Sequence, residues 1–356
     1  MSSPIVPDRK TALEALSHAQ WIAFAPFVFQ AAVVMRDMGL LKALEETGTQ
    51  GEDVGALAEA TSLSEYALKV LLDFGISMDL VYRNKERYCL AKTGYYLLND
   101  EMTRVNMDFT RDVCYQALAR LDDSIRDGRP HGLSLLGPWE TLYQGLTSLP
   151  EPARSSWFSF DHFYSDRVFE QFLPIVFGEP VKEILDVGGN TGRWALKCLG
   201  HDADVRVTIM DLPSQLEVAQ HSIAEAGFAD RFTVCPVDLL DENAAFYQGA
   251  DVIWMSQFLD CFSETEILSI LRRAAAVMDE NTLLYIIELF WDRQKFEAAS
   301  FSLNATSLYF TCIANGKSRM YHSSDLLRLV AAAGLRVVSD TDNIGAGHTV
   351  LRCRKS

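Results

Sequence analysis

The chain has 356 residues, 49% of them hydrophobic, and a formal net charge of −16 at pH 7. That length sets two domains as the expectation, and the hydrophobic share supplies a large core. The acidity argues against a nucleic-acid or anionic-membrane surface, which needs clustered Lys and Arg. Seven cysteines, odd in number and without CxxC or Cys/His metal spacing, read as free thiols in a reducing compartment. The N-terminus MSSPIVPDRK lacks a basic–apolar–small signal pattern. The most apolar stretch, Trp21 to Met35, is too short to span a bilayer and contains Pro26 and Gln30. A cytoplasmic protein without membrane contact is expected, with no bound metal.

In chain order, residues 11–45 are helical by pattern and rich in aromatics: Trp21, Phe24, Phe27 and Phe29. So many apolar faces suit an element that meets a partner. Residues 52–98 predict a winged helix. Val54 to Ala60 is a short helix, Thr61-Ser62-Leu63 a turn, and Ser64 the cap of a second helix carrying Leu68, Leu71, Leu72 and Phe74. Two strands follow around Asn84-Lys85-Glu86. The second helix holds one Lys and two acids, so it cannot neutralise several phosphates, and DNA binding is discounted. Residues 103–180 are again mainly helical. The stretch from Trp157 to Asp166 is crowded with rings and hydrogen-bonding groups, as the wall of a pocket would be, and includes His162.

From residue 181 the pattern changes. Ile184-Leu185-Asp186-Val187 is an apolar run of the kind that forms a buried parallel strand, and it enters Gly188-Gly189-Asn190-Thr191-Gly192 before a helix. Such glycines let the backbone turn tightly and approach a ligand. A second strand, 205–210, ends in Asp211, about 20 residues further on, the spacing at which a carboxylate meets a ribose hydroxyl pair. A third ends in Asp238-Leu239, a fourth in Ser256-Gln257, and a fifth in Glu288. Ligands bind at the carboxyl ends of such strands. No phosphate-binding Lys follows the glycines, which disfavours a P-loop. A helix at 323–333 and a final strand pair complete a seven-stranded α/β sheet.

The glycine spacing resembles the S-adenosylmethionine (SAM) loop of class I methyltransferases. The whole chain, roughly residues 15–353, is similar to the small-molecule O-methyltransferases, a family including caffeate, hydroxyindole and bacterial polyketide O-methyltransferases. LDVGGNTG, MDLP at 210–213, VDLL at 237–240 and NGKSR at 315–319 carry the likeness. It implies a winged-helix dimerisation domain at 1–102, a helical linker and substrate-pocket segment at 103–180, and a Rossmann-like SAM domain at 181–356. It also implies a homodimer, a small-molecule acceptor and SAM bound by Asp186, Gly188, Gly189, Asp211, Leu212, Asp238, Leu239 and Ser256. Where the family usually has His-Asp-Trp-Ser, with His as general base, this chain reads Asp260-Cys261-Phe262-Ser263. Glu288 falls where an acid orients the base, and Ser318 where a second acid is usual.

The catalytic expectation is therefore Asp260 with Glu288, and His162 as an alternative base. Two close carboxyls cannot both ionise easily, so one acquires a raised pKa and the pair can move a proton. The competing role for Asp260 is a plain helix cap. The expected activity is methyl transfer to a hydroxyl of a small aromatic secondary metabolite. The alternatives are C-methylation, or a SAM-binding relative with hydroxylase or decarboxylase chemistry.

Overall fold

The computed structural model describes residues 8–356, and a division after Met107 separates two compact units. The first is helical with a small wing: α1 (Ala12–Ala23), α2 (Ala25–Asp37), α3 (Leu40–Thr47), α4 (Val54–Thr61), α5 (Glu65–Ser77), β1 (Val81–Asn84), β2 (Arg87–Leu90) and α6 (Lys92–Asn99). The predicted winged helix is present. Asp53 caps α4 and Ser64 caps α5, each side chain accepting an N–H three residues on. Leu57, Leu68 and Leu72 close the core with Met35, Leu40, Leu41 and Leu44.

The continuous helical pattern at 11–45 resolves into three helices. Pro26, at the start of α2, has no N–H to offer the preceding turn, and α1 and α2 meet at 59°. Gly39, at φ +79°, makes the next break. No residue of α1 is buried, and Leu13, Leu16, Trp21, Ile22, Phe24 and Phe27 stand open. Among the described residues no single helix is long and apolar enough to cross a membrane; only the bent α1–α2 pair passes on length and composition.

The second unit contains α8 (Leu121–Asp127), α9 (Ala153–Ser165), α10 (Phe169–Val176) and a seven-stranded sheet. Ahead of α8 runs α7 (Glu101–Phe109), continued by a π-helical turn at Thr110–Cys114. The sheet elements are β3 (Glu183–Val187), α11 (Arg193–His201), β4 (Arg206–Asp211), α12 (Pro213–Glu225), β5 (Phe232–Pro236), β6 (Val252–Ser256), α13 (Glu264–Val277), β7 (Leu283–Glu288), α14 (Glu297–Tyr309), α15 (Ser323–Ala332), β8 (Leu335–Ile344) and β9 (His348–Lys355).

The strand order is β5-β4-β3-β6-β7-β9-β8, with β9 antiparallel to both neighbours and the other pairs parallel. This is the class I methyltransferase sheet. Alternate residues of the central strands feed opposite faces: Leu185, Val187, Ile253, Met255 and Ile286 pack with α13 and α15, while Ile184, Val207, Ile209, Trp254 and Tyr285 pack with α10, α11 and α12. Residues 108–180 belong to the same compact unit as the sheet. The reason is a third core, in which Phe109, Leu146 and Trp157 pack against Leu289, Leu303, Tyr309 and Met320.

The bare apolar row on α1 and α2 generates the first prediction. A second copy of this chain laid against it would form an obligate-type interface of roughly 2,000 Å² or more. Light scattering at micromolar concentration is expected to give twice the monomer mass, and the double substitution Trp21→Ser, Phe27→Ser to shift it toward the monomer.

Candidate active site

Because β3 and β6 are neighbours while the chain winds outward from each, a crevice forms at the carboxyl ends of the strands. Asp186, Gly188, Asp211, Ser256 and Glu288 all lie there, on β3, β4, β6 and β7 or directly after them. Gly188 sits at φ +73°, and a Cβ on it would come 2.1 Å from the Phe258 ring; one on Gly189 would come 2.6 Å from Asp186 Oδ2. Only glycines permit this approach. Asp211 organises the loop, its carboxylate accepting from Asn190 N at 2.8 Å and Leu212 N at 2.6 Å. It does not cap α12, whose N-cap, Leu212, makes no side-chain bond.

Several buried polar atoms around this crevice have no protein partner: Asp186 Oδ2, Asn190 Oδ1, Ser256 Oγ and both amide atoms of Gln215. A buried polar atom left unpaired is costly. These atoms therefore fit a polar, nucleoside-sized ligand laid along the loop. Leu239 is buried, whereas Asp238 is exposed and accepts Leu240 N–H within its own turn at 2.9 Å.

The carboxyls in the crevice are perturbed. Burial, reinforced by Asp211, pushes Asp186 up to about 8. Burial pushes Asp211 up to about 6 against the two N–H donors that hold it down.

Beyond the end of β6, Asp260 lies in a 3₁₀ turn and is only 7% exposed. The helix cap belongs to Ser263, which forms a capping box with Glu266, so a capping role for Asp260 is ruled out. Glu288 Oε1 accepts from Leu259 N at 2.8 Å and Phe258 N at 3.2 Å, tying the turn to the end of β7. Asn315 Nδ2 donates to Cys261 O at 2.7 Å and to Ser318 Oγ at 2.9 Å, and Tyr321 Oη to Phe262 O at 2.6 Å. A narrow space separates Asp260 and Glu288 from Phe290, Tyr321 and Leu326.

Burial pushes Asp260 up to about 6, while the Cys261 thiol, 3.5 Å away, pulls it down. Burial, then the Asp260 charge, drives Glu288 well above the usual carboxylate range. Burial and mutual repulsion therefore favour the protonated form of Glu288 more strongly than that of Asp260.

His162 lies on α9 with Nε2 buried and unpartnered. Burial, then Arg193, lowers its pKa, which leaves a neutral ring. His322 caps α15 and lies 3.6 Å from Asp292, and among the described residues no group of three metal-ligating side chains occurs.

Three residues not singled out in the sequence also belong here. Asp161 Oδ2 accepts from Asn190 Nδ2 at 3.3 Å, and burial, with Asp166 and Asp260 nearby, pushes its pKa up to about 7. The Tyr143 hydroxyl is buried without a partner, beside Cys261 and Asp260. Asn315 clamps the Asp260 turn. Asp161 had a signal, since it falls in the ring-rich stretch at 157–166; Tyr143 had none.

Two family descriptions match this chain, a Dimerisation2-like domain over residues 17–88 and an O-methyltransferase domain over residues 162–336. The chain carries an O-methyltransferase domain. It is a SAM-dependent methyltransferase, and its cofactor is S-adenosylmethionine.

The L-tyrosine C(3)-methyltransferase of Streptomyces lavendulae is 24% identical over 73% of this chain and 71% of its own length. The 3-amino-4-hydroxybenzoate 4-O-methyltransferase of Streptomyces cremeus is 26% identical over 73% and 69%. Among solved structures, the SAM-dependent methyltransferase SibL superposes with a TM-score of 0.73 at 23% identity, covering 96% of this chain and 99% of its own.

The perturbed acids predict an inverted stability profile for the ligand-free protein. Each folded-state pKa lies above the ordinary value, so each contributes stability that is full at low pH and lost as pH rises through the folded value. Thermal melts should fall from about pH 4, the ordinary Asp value, and level off as pH passes about 6, 7 and 8, the folded values of Asp211, Asp161 and Asp186. Asp186→Asn should flatten the upper part of that fall, and a profile still rising across the window would contradict the assignment.

Proposed function

We propose that the protein transfers the SAM methyl group to a hydroxyl of a small aromatic metabolite. The supporting observation is the buried pair of Asp260 and Glu288 beside the glycine loop, with Asp260 pushed up to about 6 and Glu288 driven well above the usual carboxylate range. Asp186, Gly188, Gly189, Leu212, Leu239 and Ser256 would line the cofactor crevice, with Asp211 on the ribose hydroxyls and Asp238 at the rim. When bound, SAM supplies an electrophilic methyl on a sulfonium. The chain's own residues orient the acceptor and manage its proton.

Asp260 takes the place that the family gives to His. An unperturbed Asp is a weak base for a phenol, but burial raises its basicity. Glu288 holds the turn through Oε1, which accepts two backbone N–H groups. Phe109, Trp157, Phe160 and Tyr309 would form the aromatic side of the acceptor site: Phe109 stacks on Phe160 at 4.1 Å, and Trp157 Nε1 donates to Tyr309 Oη at 2.7 Å. His162 is the alternative proton acceptor.

A second reading is methylation of a ring carbon ortho to a hydroxyl. It is favoured by a modest base in place of His and by the tyrosine C-methyltransferase relative. Labelled SAM with mass and carbon NMR analysis of the product separates an oxygen-bound from a ring-bound methyl. Absence of any transferred methyl would favour the hydroxylase or decarboxylase type.

Asp211→Ala should weaken SAM binding by about 2–3 kcal/mol, the worth of hydrogen bonds to a charged group. Calorimetry showing unchanged affinity would remove Asp211 from the cofactor site.

Asp260→Asn should keep SAM binding and lose about 10²–10⁴-fold in turnover. In the wild type the active form is the ionised one, so kcat/KM should rise with pH through about 6. Full activity in Asp260→Asn would transfer the role to His162.

A further inference from the structure

Beside the Asp260 turn, two phenol hydroxyls have nothing to donate to. Tyr143, in a 3₁₀ turn at Leu142–Ser148, has its Oη buried and without a partner. Tyr309, the last residue of α14, receives the Trp157 Nε1–H at 2.7 Å. That bond occupies a lone pair of Oη and leaves the O–H free to donate, and among the described residues no acceptor takes it. Tyr309 and Trp157 belong to one core, which Tyr143, Phe160 and Cys261 border half-buried, not sealed into it.

Cys261 is a neighbour common to both hydroxyls, and its thiol lies 3.5 Å from the Asp260 carboxylate. Two donors therefore stand one side chain away from the group assigned to the reacting hydroxyl. Burial drives both phenols well above their ordinary range, so both keep their protons at neutral pH. A buried donor left unpaired is costly, and a bound oxygen removes that cost. A carbonyl oxygen has two lone pairs and no proton, so it can accept from both phenols at once.

We propose that the acceptor carries a carbonyl group on the ring carbon next to its reacting hydroxyl, and that Tyr143 and Tyr309 donate to the carbonyl oxygen. This rests on the methyltransferase reading above and names the substrate class for it, an ortho-hydroxyaryl carbonyl compound. The arrangement also accounts for a carboxylate serving as the base. A conjugated carbonyl withdraws electrons from the ring, and hydrogen bonds to its oxygen strengthen that pull, so the neighbouring hydroxyl yields its proton to a weaker base. The two tyrosines also compete with the hydrogen bond that such a hydroxyl makes to its own carbonyl. They touch the second oxygen and set specificity, while Asp260 handles the proton of the first. The one other oxygen acceptor brought to this site by a ligand is the carboxylate of the cofactor.

The test uses full-length protein saturated with S-adenosylhomocysteine. Calorimetric titration with 2-hydroxyacetophenone and 2-ethylphenol compares two phenols that differ only in the carbonyl oxygen. The ketone should bind at least about tenfold tighter, as two hydrogen bonds allow. Tyr143→Phe should reduce that ratio to within about threefold and leave S-adenosylhomocysteine affinity within about twofold. Because the deleted hydroxyl has no protein partner, the ligand-free variant should melt no lower than the wild type. Tyr309→Phe gives a second reading of the same ratio should Tyr143→Phe not fold.

Equal or tighter binding of 2-ethylphenol, or no binding of the ketone, overturns the proposal. So does a Tyr143→Phe protein that melts well below the wild type with the ketone preference intact, which would give the hydroxyl to an ordered water. Loss of S-adenosylhomocysteine affinity in Tyr143→Phe, again with the preference intact, overturns it in favour of the cofactor's carboxylate. Failure of the wild type to bind S-adenosylhomocysteine is a distinct result: it removes the cofactor reading itself, and this inference with it.

Discussion

The candidate site depends on a single carboxyl at the end of β7. Glu288 accepts two backbone N–H groups from the turn after β6, so one side chain joins the ends of two parallel strands. Those N–H groups would otherwise lie unpaired in a buried place. Gln257, at φ 48°, lets the backbone turn back toward β7, and its own N–H bonds Ile287 O. With Asn315 and Tyr321 holding the far side, the turn is fixed from three directions, and Asp260 is positioned by the backbone around it. Its own carboxyl is left without a strong partner.

That arrangement sets the electrostatics. Several carboxyls sit in a low-dielectric crevice with few cations, so protons partly neutralise the ligand-free site. A ligand bringing positive charge exchanges with those protons. The glycine loop contributes geometry alone: its backbone passes close to Phe258 and Asp186, and Asp211 holds it at Asn190. No anion cradle is built, in keeping with a cofactor that has no pyrophosphate.

Much of the fold was legible because its signals are local. Buried parallel strands are short apolar runs, and β3, β4, β6 and β7 read as such. The cap at Ser64 acts across three residues. The acids at strand ends were visible because strand and side chain are adjacent in the chain. What was not legible depends on distance. Asp161 meets Asn190 across 29 positions, and Asn315 meets Cys261 across 54. The continuous helical pattern at 11–45 hid a bend, because apolar periodicity survives the break at Phe24. The attachment of 108–180 to the sheet came from side-chain packing around Trp157 and Tyr309, which no spacing in the sequence announces. The sequence leaves Asp260 between a cap and a reactive group, and the cap belongs to Ser263.

That last detail carries a consequence for how such a site changes. Because Ser263 and Glu266 start α13 on their own, and Glu288, Asn315 and Tyr321 shape the turn through main-chain atoms, residue 260 has no architectural duty. Its side chain takes no part in shaping the turn. A carboxylate, an imidazole or an amide can be exchanged there without redrawing the scaffold, so the reaction this crevice supports can drift while its shape persists.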